Sequence, residues 1–534
     1  NQGSLIGLQS LTLGPAAAVR GLRLLAVQAQ PARVLINNPG GQLLTQGTLS
    51  ITGDTVTNNG TWQGQQILLN ATSLANGGAI QSADAMQLSL RDRLSSSAGS
   101  KITANGAAAL SALSLSNQGQ WIAKNLTLNG TTLDNSGEVS GVNGLTVILG
   151  NTLTQQQNGS LLSGGRLELQ AAAVNNAGRA QGADLIMTTG AVANSGRLQG
   201  DNNLLLTASG RVTNEGSGTL LSQNGLTLTT PELYNYGLIQ GANSRLTANN
   251  SATNTGRVLS AGELTLNAPQ LTNSGWLQAT QLTLNAANAS NSGTLLADGQ
   301  GTLTGTQLQN QGTAQGGSLT VNYAQLTNSG TLLGVSQLNV KASQVTQQAT
   351  GRLFSGGNLL LESGGFDQLG QVVALGDAAL NLINGFTARN TLAAGNRLSI
   401  SSNGAIDNQG TLQGQALTLS AGGDLSNNGQ ITTGSGDSSL SGNRIALNGS
   451  GTLQGGGNVS LNSRSDIAVD GFTGTLGSLT LSSPGSIVNA ALLYAGQNLA
   501  LYANSIRNQR GDMLAGNSLW MQGYAAGNAN GEVI

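Results

Sequence analysis

Short apolar pairs and polar residues alternate along the chain in an order that returns at a nearly constant interval. In the stretch from Asn254, NTGRVLSAGELTLNAPQLT, the residues Val258, Leu264, Leu266 and Leu271 are separated by polar or small ones. Leu264 and Leu266 flank Thr265, which is the two-residue alternation of a strand with one buried face. The stretch from Asn273 repeats the order with Leu277, Leu282, Leu284 and Ala289, and that from Asn310 repeats it with Ala314, Leu319, Val321 and Leu326. Each unit predicts three short strands joined by turns. One unit holds too few aliphatic side chains to fold alone, whereas stacked units align them into continuous internal ladders.

Asn-x-Gly triplets mark the period. They begin at Asn176, Asn194, Asn214, Asn235, Asn254, Asn273, Asn291, Asn310 and Asn328, 18–21 residues apart, with further copies at Asn58, Asn117, Asn135, Asn408 and Asn427. Leucine-rich repeats have a similar length but need a helix or tight turn in their second half. Segments such as NAPQLT are too short and too β-like for that. The pattern predicts an all-β fold, a right-handed parallel β-helix (β-solenoid) of about 28 coils with three short strands per coil, the hand following from the preference for right-handed crossovers.

Asn235, Asn254, Asn273, Asn291, Asn310 and Asn328 are expected in stacked turns. Glycine tolerates positive φ and asparagine tolerates the left-handed region, and asparagine amides can hydrogen-bond from coil to coil. A motif repeated along the whole chain reads as architecture rather than as a ligand site. Residues 1–534 are expected to form a single continuous β-helix. Neither end shows the polar cap a solenoid needs, so the chain is expected to be an internal segment of a longer protein. Residues 15–50, 84–107 and 352–407 blur the period and are expected as irregular or variant coils with longer turns. In the last of these, Leu359/Leu361, Leu380/Leu382 and Leu398/Ile400 keep the strand spacing.

Composition narrows the function. Apolar residues make up 38% of the chain and the net charge is −1, which separates it from disordered chains of similar polarity. The 21 basic and 22 acidic residues are scattered, so no electrostatic footprint for nucleic acid is present. There is no cysteine, which excludes disulfides and thiolate chemistry. The most apolar stretch, from Pro15, is interrupted by Arg20, Arg23 and Arg33 and falls short of the ~20 apolar residues of a membrane-spanning helix.

Candidate chemistry is sparse. The chain has no histidine, and its closest acidic pairs are Asp466/Asp470 and Glu362/Asp367. Neither pair is joined by the further acids of a calcium site, and the run from Gly455, GGGNVSLNS, lacks the Asp of the calcium-binding nonapeptide. No catalytic residue, metal ligand or cofactor site is expected, and the chain is not expected to be an enzyme; polysaccharide cleavage, known on other β-helices, is the remote alternative.

A binding surface is the nearer candidate. Trp62 and Trp121 share the inward position of Val258, but Trp276 falls one residue earlier and is expected to face outward, in a column with Arg257, Arg197 and Arg179. Tyr234 and Tyr236 are expected to face outward on the coil before Arg257. Aromatic and arginine side chains dominate interface hot spots. Arg510-Gly511-Asp512 spells an adhesion tripeptide, within a repeat turn that has one added residue.

The NSGxLxxxxLTLNAxxLxNxG rhythm resembles the repeats of filamentous haemagglutinin and of contact-dependent growth inhibition (CDI) effectors, over nearly all of the chain. The resemblance implies a large exoprotein of Gram-negative bacteria, secreted to the cell surface through an outer-membrane two-partner secretion transporter that engages regions outside this chain. It further implies a filamentous shaft that presents binding or toxin regions to a receptor on neighbouring bacteria or host cells. The alternative within this frame is that the segment is itself a receptor-binding module.

Overall fold

The computed structural model describes residues 1–14, 33–523 and 532–533. Residues 15–32, part of the expected variant segment 15–50, lie outside the described residues. Every regular element among the described residues is a β-strand, and adjacent strands pair in parallel, each with a strand one coil away. The fold is a parallel β-solenoid. Two compact units are present, Asn1–Ala268 and Pro269–Ile534.

Both units use the same coil. A first strand follows the Asn-x-Gly turn, a second carries the Leu-x-Leu pair, and a third ends on the next ladder asparagine. In the first unit, Leu198, Leu220, Ile239 and Val258 pair in succession at the inward position of the first column. In the second unit, Leu277, Leu295, Ala314 and Leu332 do the same. Its second column carries two inward rows, Leu282–Gly301–Leu319–Leu338 and Leu284–Leu303–Val321–Val340, and its third carries Ala289–Leu308–Leu326–Val345. Val258, Leu264, Leu266, Leu271, Leu277, Leu282, Leu284, Leu319, Val321 and Leu326 are all buried. Each fully buried aliphatic side chain contributes roughly 1.5–3 kcal/mol against exposure. The repetition of that term from coil to coil holds a fold whose strands are short.

Strand length differs along the chain for a local reason. Where turns are tight, the three strands run into one bent strand, as in Arg179–Asn194, Thr294–Asn310 and Thr331–Gln347. Beyond Arg352 most coils break into separate pieces such as Thr391–Ala394 and Ile406–Asn408. There the pair expected at Leu380/Leu382 sits two residues out of step. Leu359/Leu361 pair with Ala378/Leu380, which pair with Leu398/Ile400, while Leu382 pairs with Ser363 and Ser402 at the corner.

The coil count is about 26, not 28. A uniform period of about 19 residues fits the Asn-x-Gly run, but lengthened turns stretch several coils to 22 residues, as between Ala79 and Lys101, Glu138 and Ser160, and Gln430 and Thr452. Glu532–Val533 pairs with Ser505 and Ile506 and so belongs to the third column.

The Asn-x-Gly motif works differently from its expected backbone role. Among the described residues, positive φ occurs at Gly40, Gly99 and Arg510, not at the motif asparagines or their glycines. The asparagine ends the third strand with its side chain turned into the core. Asn176, Asn194, Asn214, Asn235 and Asn254 pass hydrogen bonds along the first unit, each Nδ2 donating to the next Oδ1 at 2.7–2.8 Å. Asn273, Asn291, Asn310 and Asn328 do so in the second at 2.8–2.9 Å. Most of these Nδ2 groups also cap backbone carbonyls of their own turn and of the following coil, as Asn291 does with Gly293 O and Thr313 O. At most of these turns the glycine answers a packing demand, although Gly216 of the Asn214 triplet has open space and Gly218 takes the crowded place there. A Cβ on Gly312 would overlap Gly293 O, and one on Gly330 would overlap Gly312 O. The turns stack so closely that only a hydrogen fits between them.

Candidate functional site

The large inward-facing aromatic side chains among the described residues serve packing. Trp62 and Trp121 are completely buried, and Trp121 donates its indole N–H to Ser96 Oγ at 2.7 Å. Tyr323 fills the space above Gly305 and donates its hydroxyl to Ala286 O, two coils back, at 3.0 Å; burial pushes its phenol pKa up. Phe366 and Phe386 stack on neighbouring coils with centroids 5.6 Å apart.

The acidic pairs do not converge. Asp466 and Asp470 flank the three-residue strand Ile467–Val469. Asp466 accepts hydrogen bonds from the backbone and hydroxyl of Ser486 at 2.8 and 2.9 Å. Those bonds, helped by the Arg444 charge, lower its pKa. It therefore ties two coils together. Glu362 and Asp367 are exposed, and no group of three or more acidic residues able to hold a metal ion occurs among the described residues.

The expected arginine column is interrupted. Arg179 and Arg197 are paired on adjacent coils, but Thr219 and Leu238 separate Arg197 from Arg257. The two adjacent guanidiniums are also spoken for. Arg179 bonds Gln181 and Arg197 bonds Gln199, and both glutamines donate onward to Asp201 Oδ1, at 2.7 and 2.6 Å. This relay sets one carboxylate against two like charges, which would otherwise oppose each other across neighbouring strands. Trp276 opens the strand Trp276–Asn291 in the second unit, is 38% exposed, and donates to Gln278 Oε1 at 3.0 Å.

Tyr234 and Tyr236 belong to a different column from these arginines, and their partner is Arg211. Tyr234 is the outward residue of the third strand, paired with Thr213 before it and Thr253 after it. Tyr236 is the middle residue of the Asn235–Gly237 turn. Their rings lie near parallel, 18° apart, with centroids separated by 6.4 Å. The Arg211 guanidinium lies 4.7 Å from the Tyr234 ring centroid. Its Nε and Nη2 both reach Glu232 Oε2, at 2.8 and 2.7 Å. The Glu232 hydrogen bond and charge raise the Arg211 pKa. Arg211 and Glu232 escaped the sequence reading, although the signal was present. Arg211 precedes Val212 as Glu232 precedes Leu233, and those two core residues pair, so aligning the coils places the ions one above the other.

The tripeptide Arg510-Gly511-Asp512 lies on a lengthened turn. Arg510 takes φ 62°, which absorbs the added residue. Asn508 Nδ2 donates to Gly511 O at 2.8 Å, and the Asp512 backbone N–H donates to Ala491 O at 3.0 Å. Both charged side chains are exposed.

The haemagglutinin repeat family matches residues 199–281, 259–318, 314–385, 370–429, 431–483 and 474–519. The chain is 50% identical over 537 aligned residues to the tRNA nuclease CdiA of Escherichia coli strain NC101, 48% identical to the toxin CdiA of Escherichia coli, and 47% identical to the 16S rRNA endonuclease CdiA of Enterobacter cloacae. In each case the whole chain is covered but only 16% of the relative. No solved structure matches the chain. The repeated coil, its asparagine ladder and these relatives agree: the chain belongs to the haemagglutinin repeat family, in the repeat region shared by filamentous haemagglutinins and CDI effectors.

Proposed function

We propose that this segment is the extracellular shaft of a two-partner-secreted CDI effector or adhesin, holding binding or toxin regions of its parent away from the surface of a Gram-negative cell. The observation that carries the reading is the coil-to-coil continuity of the aliphatic and asparagine ladders among the described residues, which makes these coils a scaffold. The nuclease names belong to relatives six times longer than the aligned segment, and we assign such activity to parts of the parent outside these coils. Passage through an outer-membrane transporter suits a cysteine-free chain of low charge, because nothing in it has to be paired before export. Each emerging coil then finds a template in the coil already stacked, and its burial opposes backward slippage.

The reading is tested by placing a charge in the ladder. Leu284 is fully buried between coils, and Leu284→Asp puts a carboxylate where no partner exists, a change that costs several kcal/mol. In a full-length parent the variant should stall with its N-terminal coils outside and the remainder retained, as read by surface labelling and protease accessibility. Normal display of the whole protein would refute the shaft-and-template reading.

A further inference from the structure

We propose that Tyr234, Tyr236, Arg211 and Glu232 form a binding subsite for a neutral pyranose unit of a cell-surface glycan. The proposal adds a ligand to one pair of coils and is independent of the shaft reading, which turns on secretion rather than binding.

Exposure is the first ground. The chain has six tyrosines and is only 3% aromatic, yet two of the six stand two residues apart on the same outer surface, Tyr236 being 44% exposed. The outward positions of the paired third strands around them are occupied by threonine, Thr213 and Thr253, which is the ordinary solvent-facing choice on a strand. The Tyr234 ring is held by the guanidinium over its face, and the Tyr236 ring lies near parallel to it.

The ion pair supplies the second ground. Arg211 uses Nε and Nη2, and both go to the same oxygen of Glu232. Among the described residues, Arg211 Nη1 and Glu232 Oε1 have no hydrogen-bond partner, nor does either tyrosine hydroxyl. One free donor and one free acceptor therefore sit beside two aromatic rings, at a salt bridge that is partly exposed, 56% for Arg211 and 33% for Glu232.

Those groups select a ligand class. The two charges cancel locally, so an anionic ligand would have to displace Glu232 from Arg211, and a cationic one Arg211 from Glu232. A neutral polyol disturbs neither: its hydroxyls can donate to Glu232 Oε1 and accept from Arg211 Nη1. The aromatic rings, apolar in body and polar at the tip, can meet the C–H face of a sugar ring. A pyranose carries both an apolar face and adjacent hydroxyls.

The test uses the 534-residue chain and saturation-transfer NMR with methyl pyranosides of glucose, galactose, mannose and N-acetylglucosamine, followed by neutral glycans that contain the preferred unit. Transfer to the ring protons of at least one glycoside is expected, with affinity unchanged between low and high salt. Tyr236→Ala and Tyr234→Ala should each weaken binding at least tenfold. Glu232→Gln should weaken it less, because the amide keeps an acceptor. Trp276→Ala, which removes an exposed aromatic in the other unit, should leave binding unchanged. These side chains lie on the surface, and unaltered circular dichroism of each variant shows that a loss is not a folding defect. The proposal is overturned if no neutral saccharide binds, if both tyrosine variants bind as the parent does, or if only polyanions bind and do so with steep salt dependence.

Discussion

Removing one rung of the asparagine ladder should loosen a few coils rather than melt the chain, and Asn310 gives the cleanest measurement. Its side chain is 1% exposed. It accepts from Asn291 Nδ2 at 2.9 Å and donates to Asn328 Oδ1, Gly312 O and Thr331 O at 2.9, 3.2 and 3.1 Å. Asn310→Ala deletes all four bonds. Asn291 keeps Gly293 O and Thr313 O, and Gly312 O still receives the Thr331 backbone N–H. Asn328 Oδ1 loses this donor inside the core. With about 1 kcal/mol net per bond, and a further 1–3 kcal/mol where a buried group loses its partner, the local loss is about 3–5 kcal/mol after partial compensation. Because each 1.4 kcal/mol is tenfold, protection of the amides should fall roughly 100- to 4000-fold. Hydrogen exchange read by mass spectrometry over residues 291–331 is the suitable assay, since a repeat protein opens by neighbouring units and has no single unfolding free energy. The exposed neighbour Gln311 provides the control, and Gln311→Ala should change protection by less than threefold. Equal protection in Asn310→Ala and the parent, or an equal loss from both substitutions, would refute the ladder's energetic role.

Gly312→Ala should fail to fold locally or lose several kcal/mol, because the added methyl overlaps Gly293 O, whereas Gly216→Ala, with open space around it, should be neutral or slightly stabilising; limited proteolysis of the two variants separates them. Arg510→Gly should gain about 1 kcal/mol by relieving a left-handed residue that carries a side chain, seen as slower exchange in residues 505–515. Asp466 has a folded pKa below its unfolded value, so its contribution is present above the unfolded pKa and lost as pH falls through the folded one. Exchange across 463–487 should accelerate on acidification below about pH 4 in the parent and change less in Asp466→Asn.

The repeat was legible because a solenoid writes its packing into the sequence at a constant interval. Leu282 and Leu284 needed no partner from a distant element, since the partners are the same positions one coil away. What the interval could not give was the meaning of the marker. Asn-x-Gly is common to turns that need positive φ, and that was the reading it invited. The actual constraint, a carbonyl oxygen of the preceding turn lying where a Cβ would go, exists only once the turns are stacked. The expected coil number came out slightly high for a related reason: a local period says nothing of coils in which Gln155 or Gln347 opens a longer turn, as in QQQNG and QQATG.

The surface was harder to read than the core, and the two tyrosines show why. Facing is a property of one strand and follows from alternation, so Tyr234 could be placed outward from its own neighbours. Company is a property of the column, and it changes with every inserted residue between one coil and the next. Arg197 and Arg257 share a column, yet Thr219 and Leu238 stand between them, so resemblance of position did not mean proximity. Arg211 and Tyr234 share no repeat position, yet the guanidinium lies against the ring because Val212 pairs with Leu233. On a solenoid, then, function is to be sought by aligning core residues first and reading outward from them. On this chain the aligned cores bring Tyr234, Tyr236, Arg211 and Glu232 together, and the Tyr234 and Tyr236 variants are the direct test of the pyranose subsite.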